Sequence, residues 1–127
     1  MFSHIMIGTN DIGRSKRFYD AVIGAMGGPA GVEDAHGRLI YAHRGGRLMI
    51  TKPIDGQPAC GANGGTIGFT LDSPAQVEAW HSAGVAHGGT AVEDAPGERQ
   101  GSSGSLYLAY LRDPDGNKLC ALHRMAA

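Results

Sequence analysis

The side chains of this sequence that are best suited to catalysis or metal binding are six histidines and two cysteines. No two histidines have the HxxxH spacing that places two imidazoles on one helix face. His4 stands in an alternating run near the start of the chain, and Cys120 stands in another near its end. One imidazole and one thiol are fewer than the three or four ligands usual in zinc sites. The residues alone therefore favour a hydrogen-bonded histidine and a small, buried cysteine.

The first half of the chain has the pattern of a strand, a helix and three further strands. Two isoleucines alternate with other side chains in residues 3–9, which is the period of a strand with one face against a helix. The opposite face then carries His4, Met6 and Gly8. Asp11 is placed to cap a helix that ends at Gly27-Gly28. Three short strands are predicted next, near residues 31–34, 38–43 and 47–52.

The same order starts again after residues 53–64, a Pro- and Gly-rich segment that we interpret as a linker. Residues 66–71 alternate, with Thr66, Gly68 and Thr70 on one face. Ser73 and Gln76 have capping-box spacing, and Pro74 lies at the first helical position between them. A short strand near residues 90–93 follows. After it come a glycine-rich loop at residues 101–104, predicted to be a mobile flap, and a closing hairpin with strands at residues 105–111 and 118–123.

The two halves can be superimposed, since Ile5 then matches Ile67 and Ile7 matches Phe69. The simplest architecture is a single α+β domain, residues 1–127, made of two βαβββ modules in tandem. We place the modules at residues 1–58 and 64–127, with the linker at 53–64. One face of each sheet should be covered by a helix, and the uncovered faces should form a cup.

Several motifs resemble one known family. The turn Arg112-Asp-Pro-Asp-Gly-Asn-Lys118 before a final strand is similar to the end of proteins of the glyoxalase, bleomycin-resistance and extradiol-dioxygenase superfamily, also called vicinal oxygen chelate. The start agrees, because residues 2–11 followed by Phe18-Tyr19 are similar to that family's first strand and helix. The resemblance spans nearly the whole chain, and it implies the same tandem βαβββ fold.

The resemblance also implies which residues line the cup. In that family four metal ligands, usually His, Gln or Glu, come from the first and last strands of each module, and these positions match His4, Met49, Thr66 and Cys120. Only His4 has the usual chemistry, because thioether and hydroxyl groups are poor ligands for hard divalent ions. The whole predicted cup comprises His4, Met6, Met49, Thr66, Thr70, Tyr107, Cys120 and Leu122. Tyr41 and Tyr110 are further candidates for hydroxyl groups in the cup.

Three functions stay open at this point. The first is a metal-free protein that binds a small organic molecule, as the bleomycin-resistance branch of the resembled family does, with no cofactor. The second is a metal-dependent enzyme, a lactoylglutathione lyase-like lyase or a ring-cleaving dioxygenase, that holds a divalent metal with His4 and Cys120. The third is a metal-free catalyst that uses His4 or the Cys120 thiol.

Composition limits the partners. The 11 Lys and Arg residues balance 12 Asp and Glu residues without a basic cluster, so we do not expect nucleic acid to bind. No apolar run approaches the roughly 20 residues of a membrane span, and no signal peptide is evident, so we expect no membrane partner and a cytoplasmic location. Cys60 and Cys120 are expected to be free thiols. Exposed sheet edges and a half-open cup predict a homodimer.

Overall fold

The computed structural model describes residues 1–126, which form two four-stranded sheets and two helices. The order of elements in the first half is β1 (Ile5–Gly8), α1 (Ile12–Ala25), β2 (Val32–Glu33), β3 (Leu39–His43) and β4 (Gly46–Thr51). The order in the second half is β5 (Ile67–Thr70), α2 (Pro74–Ala86), β6 (Thr90–Gly101), β7 (Gly104–Arg112) and β8 (Lys118–Arg124). The prediction of an α+β fold with two tandem βαβββ modules is confirmed.

The two sheets have the same strand order. The first sheet is ordered β1-β4-β3-β2, and the second is ordered β5-β8-β7-β6. The first strand of each module pairs in parallel with its last strand, and the other neighbours are antiparallel. Parallel neighbours need a long crossover connection, and each helix is part of it, since the helix comes after the first strand of its module in the chain and before the other three. Residues 53–64 contain no helix or strand.

Both helices begin at the predicted caps. The Asp11 carboxylate accepts from the Arg14 backbone N–H at 3.0 Å, and the Ser73 hydroxyl accepts from the Gln76 N–H at 3.1 Å. The Gln76 side chain reaches one residue further back than in a standard capping box, because its Oε1 accepts from the Asp72 N–H at 2.7 Å. The first helix ends at Ala25 with Met26 as its C-cap, and Gly27 follows with a φ of 86° that glycine adopts without strain. None of the helices in residues 1–126 is long and apolar enough to cross a membrane.

One hydrophobic core is shared by the two modules. Its largest fully buried side chains include Phe18 and Tyr19 of α1 and Trp80 of α2. Gly84 of α2 packs closely on both β7 and α1, because an added Cβ would lie 2.2 Å from Leu111 Cδ1 and 3.2 Å from Val22 Cγ1. The strand residues predicted to lie under the helices do pack against this core, namely Ile5, Ile7, Ile67 and Phe69. Each sheet therefore has a helix-covered face on the shared core and an uncovered face on its far side, which we call the first and the second open face.

A buried carboxylate fastens the two modules together. Asp115, in the turn between β7 and β8, has a fully buried side chain. It accepts hydrogen bonds from Thr9 Oγ1 at 2.8 Å, from the Asn10 backbone N–H at 2.8 Å and from Arg14 Nη2 at 2.7 Å. The Asp115 carboxylate thus ties the second module to the start of α1.

One predicted loop is wrong. Beyond the predicted short strand, β6 continues to Gly101, and residues 97–101 pair with residues 104–108 of β7. The strand accommodates the irregular sequence through a register shift between Val92 and Gly97. The glycine-rich segment predicted to be a flap is therefore the end of a β-hairpin.

Candidate functional site

The first open face carries an apolar row that crosses the whole sheet. The strand register places Val32 beside Ile40, Ile40 beside Met49, and Met49 beside Met6. Met49 points away from the core because it alternates with Leu48 and Ile50, which are core residues. Val32 is 67% exposed and Met6 is 41% exposed. An exposed apolar row of this kind is a surface suited to an apolar ligand or a protein partner.

The second open face is lined by two rows from β7 and β8. Tyr110 lies opposite Cys120, and Leu108 lies opposite Leu122. Cys120 is 6% exposed and Leu108 is 8% exposed, so the middle of this face is already shielded by its neighbours. Thr70 pairs with Leu122 on the other side and is exposed. Thr66, which precedes β5, and His4, which precedes β1, are exposed as well.

Tyr107 is wrongly placed in the predicted cup. Its hydroxyl donates to Glu78 Oε1 of α2 at 2.6 Å, and its ring packs against the shared core. It therefore lies on the helix-covered face, with Ala109 and Leu111. Tyr41 does not reach the cup either, because it is buried and donates to Asp20 Oδ1 at 2.7 Å. Of the three tyrosines considered, Tyr110 alone is on an open face.

A polar cluster surrounds Cys120 on the second open face. The Lys118 ammonium lies 4.9 Å from the centre of the Tyr110 ring and forms an ion pair with Glu93. The Arg99 guanidinium carbon lies 6.0 Å from the same ring centre. Glu93 has a φ of 58°, which is unusual for a residue other than glycine and is tolerated here at the irregularity in β6. This strained residue directs its carboxylate to Lys118.

The thiol of Cys120 is protonated at neutral pH. Burial is the main cause that raises the pKa of Cys120 above its ordinary value, and the Tyr110 hydroxyl acts in the opposite direction. Burial also raises the pKa of Tyr110. Since the thiolate is the nucleophile and the metal-binding form, a neutral thiol does not favour catalysis by Cys120. The Cys120 thiol donates to the Ala121 carbonyl at 3.6 Å, so the face offers the Tyr110 phenol as its neutral hydrogen-bond donor.

This arrangement predicts different reactivity for the two cysteines, both of which are free. At pH 7.5, iodoacetamide should alkylate exposed Cys60 at least about tenfold faster than Cys120, because Cys120 is both buried and protonated. The rate at Cys120 should still be rising above pH 9, since its pKa is raised. Peptide mass spectrometry of a time course would measure both rates. Faster alkylation of Cys120 at neutral pH would show that it is an activated thiol.

The arginines on the second open face are engaged by the protein itself. Arg99 donates to the backbone carbonyls of Asp94, Ala95 and Leu108 at 3.0, 3.0 and 2.7 Å, which braces the irregular part of β6. Arg112 donates to the Gly116 carbonyl at 2.7 Å, and Arg124 donates to Ser103 Oγ at 3.2 Å. These neutral acceptors fix the positions of the three guanidinium groups without balancing their charges.

The four positions implied as metal ligands do not fit a hard divalent ion. His4 is exposed, and its Nδ1 lies 2.8 Å from Ser3 Oγ. Met49 and Thr66 provide a thioether and a neutral hydroxyl, and Cys120 provides a protonated thiol. Throughout the described residues, 1–126, no three His, Cys, Asp or Glu side chains are grouped so that they could hold a metal ion.

The sequence could not reveal every member of this site. Lys118 lies two residues before Cys120 in the same strand, so alternation alone predicts that the two side chains share a face. The contributions of Glu93 and Arg99 depend on the irregularity in β6, which has no hydrophobic period. Tyr110 could be named but not oriented.

Comparison with known proteins gives a consistent picture. The family model described as glyoxalase/bleomycin resistance protein/dioxygenase superfamily matches residues 1–121. A glyoxalase/bleomycin resistance protein from Albidiferax ferrireducens T118 is similar in structure, with a TM-score of 0.94, 56% identity, and coverage of 98% of this chain and 99% of that chain. No curated protein matches the sequence.

Two more distant structures share the fold. A glyoxalase/bleomycin resistance protein/dioxygenase family enzyme from Burkholderia phytofirmans PsJN has a TM-score of 0.74 at 19% identity, covering 97% of this chain and 98% of that chain. A lactoylglutathione lyase from Agrobacterium tumefaciens has a TM-score of 0.65 at 21% identity, covering 97% and 92%. At these identities the similarity concerns the fold alone.

Proposed function

Because the chain belongs to the glyoxalase/bleomycin resistance protein/dioxygenase superfamily, we propose that it binds a small organic molecule, without a metal, between open faces of its sheets. The observation that carries this proposal is the apolar row of the first open face, from Val32 to Met6. Apolar surface with a few placed polar groups is typical of small-molecule sites.

The apolar row of the first open face favours an uncharged, largely apolar ligand, because a charged group would lose its hydration there. Methionine side chains adapt to flat or irregular apolar shapes and make favourable contacts with aromatic rings. On the second open face, the charge of Lys118 is paired with Glu93, and the arginines are oriented, but not neutralised, by backbone and hydroxyl oxygens. The Tyr110 hydroxyl remains as a neutral donor for one acceptor atom, since the Cys120 thiol already donates to the Ala121 carbonyl. We therefore propose an aromatic ring system with a single polar group.

A second copy of the chain would complete the site. Each open face lies on the far side of its sheet from the shared core, and in residues 1–126 no strand of one sheet packs extensively on a strand of the other. A homodimer in which the first open face of one protomer lies opposite the second open face of its partner would cover Met6 and Val32. Covering these exposed apolar side chains favours association.

The metal-dependent alternative is less well supported. A lyase or dioxygenase of this family would need anionic or imidazole ligands at the four implied positions, and His4 alone provides one. The similarity to a lactoylglutathione lyase is at 21% identity and brings no ligand set with it. We therefore propose no catalytic step through a metal.

Ligand-dependent thermal unfolding tests this proposal. We expect 1-naphthol to raise the unfolding temperature by about 5 °C at ten times its Kd, while 1-naphthoate, its charged counterpart, should have little effect. Met49→Asp places a charge in the apolar row and should abolish the shift. Val85→Asp is the matched control, because Val85 is an exposed apolar residue of α2. Equal stabilisation by naphthoate, or an unchanged shift in Met49→Asp, would refute the proposal.

A further inference from the structure

The linker between the modules ends in a turn that contains an asparagine followed by a glycine. Asn63 and Gly64 are both exposed, and Gly64 has a φ of 96°. The Gly65 backbone N–H donates to the Ala62 carbonyl at 3.2 Å and closes the turn. Among residues 1–126, no hydrogen bond uses the Asn63 side chain or the Gly64 backbone N–H. The amide group and the nitrogen that follows it are therefore adjacent and unengaged.

An asparagine amide and the backbone nitrogen of the next residue can close a five-membered ring. The nitrogen attacks Cγ, so an N–Cγ bond forms, the Cγ–Nδ2 bond breaks, and ammonia leaves with the proton that the nitrogen carried. Water then opens the resulting succinimide. Breaking the new N–Cγ bond gives aspartate, and breaking the original peptide bond gives isoaspartate. Glycine in the second position favours the attack, because it has no Cβ to crowd the approach.

The other two asparagines of the chain are held by hydrogen bonds, and neither precedes a glycine. Asn10 Nδ2 donates to the Ala59 carbonyl at 3.1 Å, and its Oδ1 accepts from the Ala59 N–H at 2.7 Å. Asn117 is buried, and its Nδ2 donates to Asp113 Oδ2 at 2.8 Å. These side chains must leave their partners before a backbone nitrogen can reach Cγ.

We infer that Asn63 is a modification site, at which the chain deamidates through a succinimide and acquires an isoaspartyl residue. The reaction adds one negative charge and, in the isoaspartyl form, one carbon to the backbone of the linker. Ala62 and Gly65, on either side of the reacting pair, line a recess together with Ile5 of β1 and Ile67 of β5. The modification therefore changes the chain beside the junction of the two modules. The inference depends on neither the proposed ligand nor the proposed dimer.

Incubation of the wild-type protein at mildly alkaline pH, followed by peptide mass spectrometry, measures the rate at each asparagine. Deamidation at Asn63 should be at least about tenfold faster than at Asn10 or Asn117, because each of those amides must first lose hydrogen bonds worth about 1 kcal/mol apiece. Fragmentation that distinguishes the two isomers should show both isoaspartate and aspartate at position 63. The rate should rise with pH, since the attacking nitrogen must give up its proton.

Asn63→Gln is the matched variant, because it keeps an exposed primary amide but requires a six-membered ring, which closes more slowly. It should remain a single species on anion exchange under conditions in which the wild-type protein gains a more acidic form. The inference is overturned if the wild-type protein gains no acidic form, if Asn63→Gln gains as much of it, or if Asn10 or Asn117 deamidates faster. Aspartate without isoaspartate at position 63 would exclude the succinimide and overturn it as well.

Discussion

Replacing Asp115 with alanine is expected to lower the free energy of unfolding by about 3 kcal/mol. The carboxylate is fully buried and accepts hydrogen bonds from Thr9, Asn10 and Arg14, all of which belong to the first module. Its removal leaves the Asn10 N–H without this acceptor and the Arg14 charge without its counterion, and the Thr9 hydroxyl keeps only the Asp11 carbonyl. Buried donors that lose a charged acceptor carry much of the cost of such a substitution.

Urea-induced unfolding measures this change. The urea concentration at the midpoint should fall, while the slope of the free energy of unfolding against urea concentration should stay the same. Asp72→Ala is the matched control, because Asp72 also forms an ion pair with an arginine, Arg44, but at an exposed position. Exposed ion pairs contribute little, so this control should change stability only slightly. Similar effects of the two substitutions would show that Asp115 does not join the modules energetically.

Introducing metal ligands into the cup should have the second large effect. The wild-type protein is expected to carry no stoichiometric divalent ion, since three of the four implied positions hold Met49, Thr66 and Cys120. Met49→Glu, Thr66→His and Cys120→Glu together would add two carboxylates and an imidazole to the existing His4. Such a set suits Zn²⁺ or Ni²⁺ if the four positions converge. We expect the triple variant to bind one such ion tightly, whereas the wild-type protein binds none.

Elemental analysis and zinc titration of the purified proteins would measure this gain. The same triple variant with His4→Ala serves as the control, and it should bind zinc more weakly because one imidazole is lost. One tightly held divalent ion per chain in the wild-type protein would contradict the expectation. It would favour the metal-dependent enzyme, with His4 and Cys120 as the first ligands to examine.

Much of the fold could be predicted because its signals are local. The alternation of Ile5 and Ile7, and the caps at Asp11 and Ser73, each depend on a few neighbouring residues. The repetition of the same order after the linker then gave the two modules. These signals agree with the tertiary structure because the faces they define pack on the shared core.

Strand orientation failed where both faces of a strand are apolar. In β7, residues 106–111 are Leu, Tyr, Leu, Ala, Tyr and Leu, so alternation does not reveal which face Tyr107 occupies. The pairing of β7 with β8 decides this, because it places Leu108 beside Leu122 on the second open face. The same dependence on distant partners hid the full length of β6, whose irregular sequence pairs only because β7 lies beside it.

The candidate site was only partly predictable for a related reason. Met6 follows from alternation and Met49 was implied by the family resemblance, but the pairing of Glu93 with Lys118 requires a left-handed residue at a strand irregularity. No local sequence pattern predicts that geometry.

We propose that two copies of the chain share each cup. Mixed dimers test this sharing most directly when two of the four metal ligands are placed on one chain and two on the other. One chain would carry Met49→Glu and Cys120→Ala, which leaves good ligands on its first module only. The other would carry His4→Ala, Thr66→His and Cys120→Glu, which leaves them on its second module only. Neither chain alone could present more than two good ligands in any cup.

Zinc binding would be measured by titration before and after the two chains are unfolded together and refolded, with the triple variant as the positive control for convergence of the ligands. If each cup combines the first module of one protomer with the second module of its partner, the refolded mixture should bind one Zn²⁺ per mixed dimer, and each chain alone should bind none tightly. If the triple variant binds zinc but the mixture binds no more than its separate components, the cup does not lie between two copies of the chain.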